Sequence, residues 1–465
     1  MKMIATIKCH FNFHIFTFPH FHISTFSNYN IIMHYYSTNR LSPEVDLRTA
    51  VTKGLAPDRG LYMPEIITPM DLVFYAQMGN ITFQEMSYRV ASSLFGEDIP
   101  AEKLQEIVYE TLSFETPLVP VEQDIYSLEL FHGPTLAFKD VGARFMARML
   151  AYFLSEEKET VHVLVATSGD TGSAVANGFL GIDGIKVHVL YPKGKVSEIQ
   201  EKQFVTLGQN ITALEVDGSF DDCQALVKAA FMDEELQRKM VLTSANSINV
   251  ARFLPQAFYY FNAVAQLKKN YKKIVFSVPS GNFGNLTAGL IAKKMGLPVS
   301  HFIAANNSND VVYNYLKTGS YKTKSSVATI ANAMDVGDPS NFARIMDLYE
   351  QDHAWISSVI KGVTYSDEQI RESLAACFHT TGYLTDPHGA VAYRALKEQL
   401  QPDEVGIFLE TAHPAKFTET VEEIVGKGNV PMPDRLAEFM KGEKKTVPMG
   451  VGFGGFKEYL LAVSD

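Results

Sequence analysis

Residues 273–292 read KIVFSVPSGNFGNLTAGLIA: a β-branched run, a loop of Ser, Gly and Asn, then an apolar helical stretch. The same order recurs at 161–179, VHVLVATSGDTGSAVANGF, and at 405–421, VGIFLETAHPAKFTETV. Short β-branched runs bounded by turn residues read as strands, and the longer patterns behind them as helices. With KVHVLY (186–191), ITALEV (211–216) and HFIAA (301–305), six such strands alternate with loops or helices. This alternation predicts parallel strands with crossover helices, an α/β layered fold. In open α/β sheets ligands bind beyond the carboxyl ends of the strands, where helix N-termini offer unpaired N–H groups. The three Gly-, Ser-, Thr- and Asn-rich loops are expected to converge on one crevice.

The remaining sequence bounds the class. A chain of 465 residues suggests two or three domains, on a prior of roughly 150 residues each. From Tyr35 to about Glu110 the spacing is mainly helical, as in ITFQEMSYRVASSLF and AEKLQEIVYETL, interrupted by the turn-rich GLAPDRGLYMPE. The excess of 52 acidic over 41 basic side chains gives a net charge of -11, which opposes binding to nucleic acid or to an anionic membrane. No run of eighteen apolar residues suggests a membrane span. Cys9, Cys223 and Cys377 form no CxxC pair or disulfide framework, so a reducing cytoplasmic setting is expected. Residues 1–34 carry FNFHIFTFPHFHISTF and a histidine cluster from His10 to His34. They match no signal or transit peptide and no metal-ligand spacing. They are expected to be a disordered or extraneous extension, with translation starting near Met33, and no metal is expected.

Two segments suggest chemistry on their own. In Ser280-Gly281-Asn282-Phe283-Gly284-Asn285, Gly281 and Gly284 let the backbone approach a ligand, and successive N–H groups make a concave nest for phosphate or carboxylate. A glycine-softened turn would read the same way. Lys139, in GPTLAFKDVGARF, follows apolar Leu136, Ala137 and Phe138, a setting that favours the neutral amine needed for Schiff-base formation. Most lysines are solvated, so the local string alone does not decide its role. Arg144 reads as a helical ion pair with Asp140.

Taken together and in order, FHGPTLAFKD, ATSGDTGSA, LTSANSINVARFLPQ, SGNFGN and ETAHPAKF strongly resemble the threonine synthase family of pyridoxal phosphate (PLP) enzymes, fold type II, tryptophan synthase β-like. YYSTNR and GLAPDRGLYMPE resemble the N-terminal domain of that family, so the resemblance runs from about Tyr35 to Phe417. It implies PLP held as a Schiff base on Lys139, with Gly281, Asn282, Phe283, Gly284 and Asn285 around the cofactor phosphate and Thr411 at the pyridine nitrogen. Thr411 also suits an N-cap of a helix near Pro414. Ser168 and Thr171 are implied for the substrate carboxylate, and Ser247, Asn249 and Arg252 for a substrate phosphate. Asp170 would repel a carboxylate and is expected to cap the loop or order its neighbours. The resemblance further implies an N-terminal helical domain over 35–112 and a PLP-binding region over 113–465. That region would hold a smaller α/β subdomain at about 140–265 and a larger one from 113–139 plus 266–465. The implied reaction converts O-phospho-L-homoserine and water into L-threonine and phosphate. The alternatives are a phospholyase releasing a 2-oxo acid and a non-catalytic phosphometabolite-binding protein.

Overall fold

The computed structural model describes residues 33–155, 159–267 and 272–464. Its strands, in chain order, are β1 (Tyr35–Ser37), β2 (Tyr62–Pro64), β3 (Leu118–Glu122), β4 (Ile125–Glu129), β5 (Val161–Ala166), β6 (Ile185–Pro192) and β7 (Ile211–Val216). They continue with β8 (Val241–Ser244), β9 (Lys273–Pro279), β10 (Val299–Asn306), β11 (Ile360–Thr364), β12 (Glu404–Glu410) and β13 (Val447–Met449). All six strands expected from sequence are present. A six-stranded sheet runs β11-β10-β9-β12-β4-β3, parallel except for the antiparallel edge strand β3. A five-stranded sheet runs β13-β7-β6-β5-β8 and is wholly parallel. This is the parallel-rich α/β architecture expected from the sequence.

Burial explains why the central strands read as continuous apolar runs. Every residue of β5 is buried, as are Ile274–Pro279 of β9 and all of β12, because helices cover both faces of parallel sheets. The helix Lys139–Leu154 packs against the helix Asp170–Phe179, so the Lys139 segment rests on the five-stranded sheet's own layer. Among the described residues no helix is long and apolar enough to cross a membrane.

The N-terminal segment contains the helices Leu47–Lys53, Leu72–Gln77, Phe83–Phe95 and Ala101–Thr111. Asp46, Asp71 and Thr82 cap the first three by accepting from the N–H of Thr49, Phe74 and Glu85. Two features depart from the sequence expectation. Tyr62–Pro64, inside the stretch read as turn, pairs antiparallel with Tyr35–Ser37, because both three-residue strands bury Tyr35, Tyr62 and Met63 in the core. The folded part also begins before residue 35: Met33 is 5% exposed, and the Glu65 N–H donates to the His34 carbonyl. Residues 1–32 of the expected extension lie outside the described residues.

The expected assignment of everything after 266 to one larger subdomain does not hold for the C-terminal tail. Val447–Met449 pairs in parallel with Leu214–Val216 of the five-stranded sheet. The helix Phe453–Ser464 behind it buries Phe456 and Leu460 against Leu164, Leu214 and Leu226. Edge pairing and burial of an apolar face decide the tail's place, and neither is visible in a three-residue strand's sequence. Replacing Phe456 by Ala should therefore cost about 3–5 kcal/mol, as for other fully buried phenylalanines, seen as a lowered midpoint of chemical denaturation. An unchanged midpoint would mean that the tail helix does not support this sheet.

Candidate active site

Three strands end at one crevice. β5 runs into the helix Asp170–Phe179, β9 into the helix Gly284–Lys294, and β12 into the short helix Pro414–Phe417. Their loops, with Phe138 and Lys139, line a cavity of about 490 Å³. Of the residues singled out from sequence, Lys139, Ser168, Thr171, Ser247, Arg252, Gly281, Asn282, Phe283, Gly284, Asn285 and Thr411 all line it. Asn249 does not. Its amide is fully buried, donating to the Val51 carbonyl at 2.8 Å and accepting from the Ala251 N–H at 3.0 Å, so it caps the helix Val250–Phe253 and ties it to the N-terminal helices. An amide with its hydrogen-bonding groups engaged in this way is a structural cap.

The Lys139 segment is fixed against the strand that leads to Thr411. Phe138 N–H donates to the Thr411 carbonyl, His413 N–H donates to the Leu136 carbonyl, and Ala137 bridges Ala412. Burial lowers the Lys139 amine to about 8; Asp170 opposes that shift, while Lys416 and Arg252 reinforce it. Arg144, expected to pair with Asp140, turns instead to the Thr111 and Glu110 carbonyls, and Asp140 accepts from the N–H and hydroxyl of Thr135. Thr411 is 6% exposed and lines the cavity. The N-cap of the following turn is His413, whose Nδ1 accepts from the Ala415 N–H, which leaves the Thr411 hydroxyl to the crevice.

The loop after β9 is built as an anion cradle. Gly281 passes so close to the neighbouring chain that a Cβ there would lie 2.7 Å from the Met334 Cα. Phe283 takes the left-handed conformation, φ 62°, unusual for a bulky residue and a mark of a constrained site. Thr287 N–H is bonded to the Phe283 carbonyl at the start of the helix and Leu286 N–H to Asn285 Oδ1, and the N–H groups of Gly284 and Asn285 ahead of them are the orphan donors of this helix N-terminus. The loop after β5 repeats the device. Thr167 Oγ1 accepts from the N–H of Gly169 and Gly172, and Gly169, φ 145°, sits where a Cβ would meet the Gln200 side chain at 2.6 Å. Ser168 and Thr171 face the crevice beside this helix end.

Asp170 is the group that sequence reasoning placed only loosely. It accepts from Lys416 Nζ at 2.6 Å and from Gln200 Nε2 at 2.8 Å, with the Lys416 side chain wholly buried. Burial would raise its carboxyl, but the charges of Lys416 and Lys139 and these two hydrogen bonds outweigh it and hold Asp170 at about 2. Lys416 itself was missed, although it lies inside the ETAHPAKF motif; a lysine between Ala and Phe, just after a strand, was the available signal. Also unforeseen was His388, which lines the cavity. Its Nδ1 lies 2.9 Å from Asp386 Oδ2, and its Nε2 accepts from the Ala333 N–H. Arg252 is 2% exposed, donates from Nη1 to the Ala245 carbonyl, and leaves Nε without an acceptor among the described residues.

A crevice with an anion cradle, a lysine of lowered pKa and a free hydroxyl behind it fits a phosphorylated aldehyde cofactor, and the chain is a PLP-dependent enzyme of fold type II. Residues 110–410 match the pyridoxal-phosphate dependent enzyme family. Residues 34–112 match the threonine synthase N terminus, and 389–451 the threonine synthase C-terminal family. The chain belongs to the threonine synthase family. It is 46% identical to the threonine synthase of Haemophilus influenzae over 92% of this chain and 100% of that protein. It is 47% identical to that of Escherichia coli over 87% and 94% of the two chains. The crystal structure of the Escherichia coli threonine synthase superimposes with a TM-score of 0.87 at 44% identity, covering 93% of this chain and 100% of that one. The PLP-bound threonine synthase of Brucella melitensis superimposes at 0.86 with 33% identity, over 93% and 99%.

Replacing Asp170 by Asn would leave Lys416 buried without its carboxylate, and should cost about 3–5 kcal/mol of stability. Because the folded carboxyl is depressed, the stabilisation from Asp170 is complete above its unfolded value and is lost as pH falls toward about 2. Denaturant titrations of wild type and Asp170→Asn should therefore differ most at neutral pH and converge in strong acid. A constant gap down to pH 2 would contradict this assignment.

Proposed function

We propose that this chain converts O-phospho-L-homoserine and water into L-threonine and inorganic phosphate, the observation carrying the reading being the convergence of Lys139 with two separate anion sites in one crevice. The N–H groups of Gly281 to Asn285 would hold the cofactor phosphate, Thr411 Oγ1 the pyridine nitrogen, and Lys139 Nζ the cofactor carbonyl carbon. When bound, PLP supplies an electron sink that acidifies the substrate carbons near the amine. A hydroxyl partner at the pyridine nitrogen moderates that sink, which suits β,γ-chemistry over transamination.

The chain's own groups then divide the work. Ser168 and Thr171, at the N-terminus of the helix Asp170–Phe179, hold the substrate carboxylate through hydroxyl and N–H donors. Ser247 and Arg252, which both line the crevice, hold the substrate phosphate, the guanidinium supplying the charge. With the substrate amine in its place, Lys139 would be free to remove the Cα proton and later return it. An amine near pKa 8 carries out both steps close to neutral pH. A proton also leaves Cβ, Cγ takes up a proton to become the methyl group as phosphate departs from it, and water adds its hydroxyl at Cβ, its other proton leaving with the phosphate. Asp170 stays out of contact with the ligand and orders Lys416 and Gln200.

The same reading divides the region after residue 112 into two α/β layers, one around each large sheet, preceded by the N-terminal helical domain. The smaller layer includes the C-terminal tail. It also places the protein in the cytoplasm, acting on a small molecule rather than on nucleic acid or a membrane.

Incubation with O-phospho-L-homoserine should yield L-threonine and phosphate in equal amounts; 2-oxobutyrate without threonine would sink the proposal. Lys139→Ala should remove the visible absorbance of the lysine-linked cofactor and lower turnover by about 10²–10⁴-fold or more, the span of a lost general acid–base group. Retention of the absorbance would exclude Lys139 as the anchor. In the cofactor-free protein, capture of PLP should speed up with pH and level off above about 8, because only the neutral amine reacts.

A further inference from the structure

Ser247 sits at the crevice with its hydroxyl oxygen already engaged twice. Oγ accepts from Asn282 Nδ2 at 2.7 Å and from Asn341 Nδ2 at 3.2 Å. A serine hydroxyl has two acceptor positions and one proton, so both acceptor positions are filled and the proton must be donated elsewhere. Neither amide is free to turn around. Asn282 Oδ1 accepts from the Ser340 N–H at 2.6 Å, and Asn341 Oδ1 accepts from Arg344 Nη1 at 2.6 Å. A backbone N–H and a guanidinium only donate, which forces each amide oxygen toward them and each NH₂ toward Ser247.

Arg344 anchors this arrangement. It is completely buried and has no carboxylate within ion-pair distance among the described residues. Its donors go to Asn341 Oδ1 and to the carbonyls of Tyr62 (3.0 Å), Ser247 (3.1 Å) and Ile248 (2.6 Å). It thus holds both the backbone of Ser247 and the amide that orients the Ser247 hydroxyl, while standing, like Asn341, outside the crevice lining. A buried guanidinium is expensive unless every donor is used, and this one is fully used.

We propose that Asn341 and Arg344 are positioning residues that make Ser247 an obligate hydrogen-bond donor to the phosphate group of the substrate. The inference rests on the reading of Ser247 as a phosphate contact and deepens it into a specificity device. A phosphate monoester offers only acceptor oxygens and receives the proton. A group presenting its own hydrogens meets a hydroxyl with no lone pair left and is rejected.

The test is a double-mutant cycle on the holoenzyme with Ser247→Ala, Asn341→Asp and the double variant. Asn341→Asp keeps an oxygen facing Arg344, whose guanidinium neutralises the new charge, so folding is retained; the second oxygen then accepts the Ser247 proton and turns it from the crevice. Expected are a rise of about tenfold or more in KM for O-phospho-L-homoserine in each single variant, the loss of one hydrogen bond to a charged group. Inhibition by inorganic phosphate should weaken in parallel. Binding of L-2-aminobutyrate, which has no phosphate, should stay unchanged when followed by cofactor absorbance. The Asn341→Asp effect should shrink in the Ser247→Ala background. If Ser247→Ala changes neither KM nor phosphate inhibition, Ser247 is not a phosphate contact and the reading beneath the proposal falls. If Ser247→Ala acts while Asn341→Asp is silent, or acts with undiminished size in the double variant, the positioning role alone is overturned.

Discussion

One ion pair that water barely reaches holds the crevice together. Lys416, from the turn after β12, meets Asp170, the first residue of the helix after β5, at 2.6 Å, and also donates to the Thr135 carbonyl in the segment that leads to Lys139. Gln203 donates to the same carbonyl from the helix Glu198–Val205. The loops of both large sheets are thereby held at a single point. Two opposite charges removed from water stabilise each other only when further hydrogen bonds complete them, and Gln200 and Thr135 do so here. With Asp170 matched to Lys416, the field of Arg252 remains at the opening, which suits a doubly charged anion.

The same economy governs the orphan N–H groups. Two helices begin at the crevice, each just after a strand, and each is approached by backbone that a side chain would block at Gly169 or Gly281. Because the cradle consists of main-chain donors, its geometry is set by the sheets and by the φ of Phe283 rather than by side-chain rotamers. Side chains then supply what the backbone cannot. These are the amine of Lys139, the hydroxyls of Ser168, Thr171 and Thr411, and the fork of Arg252, all lining the crevice.

Much of this was readable from the sequence, for a physical reason. Strands buried on both faces leave uninterrupted β-branched runs, and glycines mark the turns where backbone is closely approached, so β5, β9, β12 and their loops announced themselves. What escaped depends on contacts between distant residues. Asn249 carries the right chemistry for an anion site, yet Val51, nearly two hundred residues upstream, engages its amide. Lys416 and His388 gained their places only when Asp170 and the backbone of Ala333 came beside them. The pairing of Tyr62–Pro64 with Tyr35–Ser37 has no local signature, because three-residue strands are too short to show a period.

The C-terminal strand β13 bears on how the molecule is made. Four strands of the five-stranded sheet lie between Val161 and Ser244, so they can pair soon after they leave the ribosome. The outer edge of β7 must then wait, unpaired, while β9 to β12 of the six-stranded sheet are synthesised, until Val447–Met449 arrives. A bare parallel edge is a template for association with other chains. Val447–Met449 thus acts as a built-in quality seal: a chain cut short ahead of it would keep an adhesive edge even if its crevice were complete.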